Sequence, residues 1–142
     1  MKAKEYRLGN LAKDALTNET LICCGLNCDT DGKNTQINYS VIDRSKYPLP
    51  NGWRAEPIPL NKDWLLKFGF KRYAKEYVYY IKVDCYLTIV VDGDDFSISL
   101  LDFDIEDYGE RSDYITPNLS TKHVHQLQNL YFALTGEELE IK

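Results

Sequence analysis

An α+β protein is expected from three features of the chain. Runs rich in Tyr, Val, Ile and Thr, broken by Asp-Gly and Gly-Asp pairs, read as antiparallel strands. A short apolar segment, Trp64-Leu65-Leu66-Lys67-Phe68, sits between Asn61 and Gly69, which are start and stop residues for a helix. The stretch from Ser120 to Leu139 has helical period and apolar residues on two opposite sides. The arrangement predicted is an N-terminal antiparallel, small-barrel-like lobe, a short helix, an antiparallel meander and a long C-terminal helix packed on the sheet.

In chain order, Arg7–Lys13, Glu19–Asp29 and Thr35–Ile42 read as strands, with Asp31-Gly32 as a hairpin turn between the last two. Pro48, Pro50, Gly52, Pro57 and Pro59 then interrupt regular structure over residues 45–59. Asn61 is the expected N-cap of a helix over Lys62–Phe68 that buries Trp64, Leu65 and Phe68, with Gly69 as its left-handed stop and Phe70 packed back beneath it. Lys71–Val83, Tyr86–Val91 and Phe96–Phe103 read as three strands of a meander. With 142 residues, 44% hydrophobic and 27% charged, the chain reads as one domain able to bury a real core. Its β-rich lobe covers about residues 1–56, and the short helix, meander and C-terminal helix cover about 57–142.

The C-terminal helix is the most informative element. Ser120 is the expected N-cap, Gly136 the terminating glycine, and Leu139 folds back on the last turn. At roughly 100° per residue, Val124, Leu127, Leu130, Tyr131 and Leu134 fall within an arc of about 120°, the width of a core-facing stripe. Leu127 and Leu134 are expected to be buried, and His123 falls inside the same arc. Phe132 lies opposite, beside His125, Gln128 and Asn129, so that an aromatic ring has a polar rim, as in a protein contact patch. Two readings of this second face are open: the N-terminal lobe or a loop of the same chain covers it, or a partner or second copy does.

Several segments together resemble a family of short uncharacterised proteins from Bacteroidetes genomes, their prophages and other mobile elements. The closing stretch His125-Gln126-Leu127-Gln128-Asn129-Leu130-Tyr131-Phe132-Ala133-Leu134-Thr135-Gly136-Glu137-Glu138-Leu139 is similar to the family's ending. Tyr6-Arg7-Leu8-Gly9-Asn10 is similar to its opening, and Pro57-Ile58-Pro59-Leu60 with Trp64–Phe70 to its middle. The resemblance implies no activity and assigns no functional residue.

Charge is distributed unevenly. The net charge is -5, yet Asp92 to Asp113 holds nine acids against the single base Arg111, a local balance of -8 that leaves the rest of the chain basic. Asp102, Asp104, Glu106 and Asp107 form the centre of this block, which repels nucleic acid and attracts basic surfaces or cations. Lys71, Arg72, Tyr73, Lys75, Tyr77, Tyr79, Tyr80 and Lys82 interleave bases with aromatics as single-strand binders do, and a strand would place Tyr73, Lys75, Tyr77 and Tyr79 on one face, but the acidic balance disfavours direct nucleic-acid binding. Core tyrosines on a half-buried sheet explain the same pattern.

Enzyme chemistry finds little to work with. His123 and His125, two apart on a helix, diverge by about 200°, which disfavours a joint metal site. Cys23, Cys24, Cys28 and Cys85 match no zinc spacing, and adjacent Cys23 and Cys24 point to opposite faces of a strand. Phosphate-loop, nucleophile-elbow and His-Glu-x-x-His motifs do not occur. No catalytic residue, metal or cofactor is therefore assigned. The sequence has no long apolar run and its first residues lack the apolar core of a signal peptide, so a cytoplasmic location with reduced cysteines is expected. The expected function is a non-enzymatic interaction protein of a mobile element or its bacterial host, with a protein partner and homo-oligomers allowed. The alternatives are an acidic decoy that occupies a nucleic-acid-binding groove of a host protein, and a hydrolase or nuclease whose cation would be bound by Asp92, Asp94 and Asp95 or by Asp102, Asp104 and Glu106.

Overall fold

The computed structural model describes residues 5–28, 35–41, 55–73, 78–84, 87–101 and 119–142. It is α+β, with nine strands in two antiparallel sheets and two helices among the described residues. The chain divides into two compact units, residues 1–59 with 123–138, and residues 60–122 with 139–142.

The first unit contains the sheet β3-β2-β1-β4, built from β1 (Leu11–Asp14), β2 (Thr20–Cys28), β3 (Thr35–Val41) and β4 (Ala55–Glu56). The first strand starts later than the alternation suggests, because Arg7 to Asn10 form a turn. Asn10 Oδ1 accepts the Arg7 amide at 2.7 Å, the Asn10 amide donates to the Arg7 carbonyl, and Gly9 sits at φ +86°, where only glycine is free of a Cβ penalty. Asp14 closes the next turn: its Oδ1 accepts the amides of Leu16 and Thr17, and Asn18 takes the left-handed conformation that Asn tolerates. The pairing register shifts between Cys23 and Gly25, leaving Cys23 buried and Cys24 exposed. Tyr6, Ala12, Leu21, Cys23 and Tyr39 form the core of this unit, with Ala55 packed against them.

The helix α2 (Val124–Thr135) completes the first unit and contacts β1. It starts at His123 rather than at Ser120, since Ser120 is drawn into a strand. His123 is extended at φ -134°, and Gln126, at the third helical position, accepts the His123 amide through Oε1 at 3.2 Å. Gly136, at φ +75°, ends the helix with its amide bonded to the Phe132 carbonyl. Val124 and Leu127 are fully buried, but Leu134, expected in the core, is only half-buried, as the next-to-last residue of the helix. Leu139, expected to fold back on the last turn, is buried and belongs to the second unit.

The second unit contains the sheet β5-β6-β7-β8-β9, from β5 (Lys71–Arg72), β6 (Val78–Lys82), β7 (Thr88–Asp92), β8 (Ser97–Leu101) and β9 (Leu119–Ser120). The run from Lys71 to Val83 is two strands rather than one. Arg72 pairs with Tyr79, Lys71 with Tyr80, and the Tyr73 amide donates to the Val78 carbonyl, so the chain reverses between them. Tyr73 and Tyr79 consequently do not share a continuous strand face; Tyr79 is buried, and Tyr73 and Tyr80 pack on Val78, Val90 and Leu101. Central β7 is buried at Thr88, Ile89, Val90 and Val91, on both faces of the sheet.

Helix α1 (Lys62–Lys67) belongs to this unit and follows its sequence signals closely. Asn61 Oδ1 accepts the Trp64 amide at 3.0 Å, Trp64, Leu65 and Phe68 are buried, and Gly69 adopts φ +84°. Phe70 returns with its amide on the Leu65 carbonyl, and Lys142 donates its amide to the Lys67 carbonyl. A Cβ on Gly69 would lie 2.7 Å from the Lys142 side chain, which adds crowding to the positive φ. The turn at Asp31-Gly32, Tyr86, Cys85 and the acids from Asp102 to Asp113 lie outside the described residues.

Leu127 is fully buried on α2, so Leu127→Ala is expected to cost about 2–5 kcal/mol by lost burial and a residual cavity. Urea melts check this, and a loss below about 0.5 kcal/mol would mean that the face is not packed.

Candidate functional site

The polar face of α2 is where the sequence placed its contact candidates, and the structure fills most of that face from within the chain. His125, Gln128, Asn129 and Phe132 follow the three-and-four spacing of one helical stripe. Residues 5–11 run against it. Tyr6 stacks on His125 with ring centroids 4.2 Å apart and planes 21° from parallel. Gln128 treats the chain as a strand partner would: its Oε1 accepts the Leu11 amide at 2.9 Å and its Nε2 donates to the Gly9 carbonyl at 3.4 Å. Asn129 Nδ2 donates to the Glu5 carbonyl at 2.8 Å. The open question about the second face is thus resolved for His125 and Gln128, both almost fully buried by residues of the same chain.

Phe132 differs, at 37% exposure. The Arg7 guanidinium lies 3.7 Å from its ring centroid, donates to Glu138 Oε1 at 2.6 Å and to Asn129 Oδ1 at 3.3 Å. An arginine held over an aromatic face by two oxygen acceptors is fixed in position, and the cation–π contact contributes about 0.5–1 kcal/mol at such an exposed site. The Arg7–Glu138 ion pair, about a third exposed on each side, adds little to stability. Its effect is positional. Arg7 and Glu138 were not among the residues singled out from sequence, nor were Glu5 and Tyr6 in the sheath behind them. A polar helical stripe signals that something must cover it, but not which distant segment does.

The buried part of the site is electrostatically unusual. Neither ring nitrogen of His125 has a hydrogen-bond partner among the described residues, and the same holds for Tyr6 Oη and Asn10 Nδ2. Burial pushes the His125 imidazole down to about 4, reinforced by the neighbouring His123 and opposed by the Glu5 carboxylate. The His123 ring lies 5.6 Å from that of His125, closer in orientation than diverging helical positions suggest because His123 is the extended cap residue. Burial likewise raises the Tyr6, Tyr39 and Cys23 pKa values, keeping all three neutral.

Other candidates are placed as follows. Asp92 and Asp95 cap their own turn, Asp92 Oδ1 accepting the Asp94 amide and Asp95 Oδ1 the Ser97 amide, each at 2.8 Å. Hydrogen bonds from the Ser97 side chain and amide hold the Asp95 carboxyl below its ordinary range. Among the described residues no three His, Cys, Asp or Glu side chains converge as a metal site would require. No described helix is long and apolar enough to cross a membrane. Asp102, Asp104, Glu106 and Asp107 lie outside the described residues. Comparison with family models, curated proteins and solved structures gives no match in any of the three.

Gln128→Leu keeps the side-chain volume but leaves the buried Leu11 amide without its acceptor, and should cost about 1–3 kcal/mol in a denaturant melt. Gln128→Glu should cost more at neutral pH, since a carboxylate would face the Gly9 carbonyl where an amide now donates. Equal stability of wild type and both variants would mean that the clamp contributes nothing.

Proposed function

We propose that the protein is a non-enzymatic interaction protein of a mobile element or its bacterial host, binding a protein partner through the patch around Phe132. The observation that carries this reading is the Arg7–Phe132 pair: an exposed aromatic ring with a guanidinium fixed over it by Asn129 and Glu138. Aromatic and arginine side chains dominate the energetics of protein interfaces. Their fixation within the free chain lowers the entropy lost on binding. His125 and Gln128 then serve as the buried support of the patch, and Asn129 and Phe132 as its outward part. The mobile-element setting rests on the family resemblance, whose opening and closing motifs are the two segments that build this patch. A cytoplasmic setting belongs to the same reading.

The test is recovery of partners from the native host by tagged wild type, Phe132→Ala and Arg7→Ala, with circular dichroism and melting to establish that each variant is folded. A protein retained by wild type and lost from both folded variants supports the reading. Retention of the same proteins at the same level by all three overturns it.

A second reading, the acidic decoy, is favoured by the -8 between Asp92 and Asp113, a charge density that folding does not require. Replacing Asp102, Asp104, Glu106 and Asp107 together by the corresponding amides is expected to weaken binding of a basic groove and to flatten its salt dependence. Unchanged affinity and salt slope would reduce the segment to a solubilising surface. The hydrolase reading draws less support, since the carboxylates of Asp92 and Asp95 already cap their own turn.

A further inference from the structure

We infer that residues Glu5–Leu11 are an acid-releasable strap on α2, with His125 as the group whose protonation opens it. The inference concerns the isolated chain and goes beyond the partner reading, so either can fail without the other.

The strap lies along one helical stripe and meets α2 through side-chain contacts, while Gly9 and Asn10 keep backbone hydrogen bonds to Cys23 of β2, so what can open is the attachment to α2. Tyr6 covers His125, Gln128 holds Gly9 and Leu11, Asn129 holds the Glu5 carbonyl, and Arg7 covers Phe132. At the centre is an imidazole only 1% exposed, with neither nitrogen hydrogen-bonded among the described residues. As a neutral ring, stacked on Tyr6 and near His123, it already carries one unpaired N–H and one unpaired acceptor nitrogen among the described residues. A proton would give it a charge and two N–H donors, with no acceptor in place for either, and burying an unpaired charge is far more costly than burying a neutral ring.

The groups that face it decide the direction. From the strap come Glu5 and Tyr6; from α2's own cap comes His123. Glu5 Oε2 is 3.9 Å from His125 Nε2, too far for a hydrogen bond, and its side chain is half-exposed, so water screens the one attraction that favours protonation. His123 opposes it by like charge when both are protonated. The Tyr6 phenol, raised by burial, remains neutral and supplies no counter-charge. Detachment of the strap would hydrate both His125 nitrogens and leave Gln128, Asn129 and Phe132 uncovered.

The sign follows from linkage. With His125 at about 4 in the closed state and near the ordinary value of about 6.5 once hydrated, the open state binds more protons between those values. Closure is therefore fully favoured above about pH 6.5, weakens as pH falls toward about 4, and changes no further through this group below that. The Leu11 amide, which donates to Gln128, reports closure directly.

Hydrogen exchange of the full chain, corrected for intrinsic rates, should show the Leu11 protection factor falling roughly tenfold to a hundredfold between about pH 7 and about pH 4.5. The Val124 amide, bonded to Ile58, and the Phe70 amide, bonded to Leu65, should keep theirs. His125→Phe retains a ring against Tyr6 and should abolish the fall. A Leu11 protection factor that is flat with pH, or that falls equally in His125→Phe, overturns the inference, as does a parallel loss at Val124, which would mean unfolding of the whole unit. A second measurement needs no variant: the His125 ring protons, followed by NMR, should titrate well below the ordinary histidine range, and titration at or above about 6.5 overturns it.

Discussion

The first unit depends on how the backbone of residues 5–11 is satisfied. Leu11 is buried at the start of β1, and its amide needs an acceptor. The acceptor is a side chain from the other end of the sequence, Gln128, which also binds the Gly9 carbonyl and so stands in for a missing strand. Because an unsatisfied buried amide costs about 1–3 kcal/mol, this contact fixes both the position of α2 and the path of the N-terminal segment. Once they are fixed, Tyr6 is placed against Tyr39 and over His125, and Arg7 over Phe132. The helix thus has two covered faces: Val124 and Leu127 on the apolar one, His125 and Gln128 on the polar one.

The same arrangement leaves polar atoms without partners. Tyr6 Oη, Asn10 Nδ2, one oxygen of Asp14 and both nitrogens of His125 are buried and unmatched among the described residues. Each carries a desolvation cost that an apolar substitute would avoid. Asn10 and Asp14 offset part of it by holding their turns through Oδ1, whereas Tyr6 and His125 are positions where a core built only for stability would place Phe or Leu. Tyr6 and Asn10 belong to the strap and His125 lies against Tyr6, whereas Asp14 ends β1. In the second unit the strands β7 and β8 are mostly Val, Ile and Leu, with Thr88 and Ser99 as their buried polar members.

Catalytic groups need convergence, and the carboxylates of Asp92 and Asp95 are engaged in capping their own turn. What does converge is an aromatic ring, a guanidinium and their fixing oxygens at the surface of the first unit. That arrangement suits recognition better than chemistry, and it is the physical ground for reading the protein as a binding partner. The acidic block between Asp92 and Asp113 provides a separate, long-range contribution to any encounter with a basic surface.

Local rules made much of the fold legible. Asn61 and Gly69 bound α1, Gly136 stops α2, and the Val- and Ile-rich runs become β7 and β8, because caps, left-handed stops and β-branched strands act over a few residues. Where nonlocal pairing competes, the sequence was ambiguous. Ser120 has the chemistry of an N-cap, yet pairing with Ser97 takes it into β9 and passes the cap to His123. Lys71 to Val83 alternates like one strand and folds as a hairpin. The helical period by itself determined that α2 has two faces needing cover, and named His125, Gln128, Asn129 and Phe132 on the second. Only the tertiary structure decided that residues 5–11 cover it, since periodicity records which side of a helix must be buried and carries no information about which segment, more than a hundred residues away in the chain, will meet it.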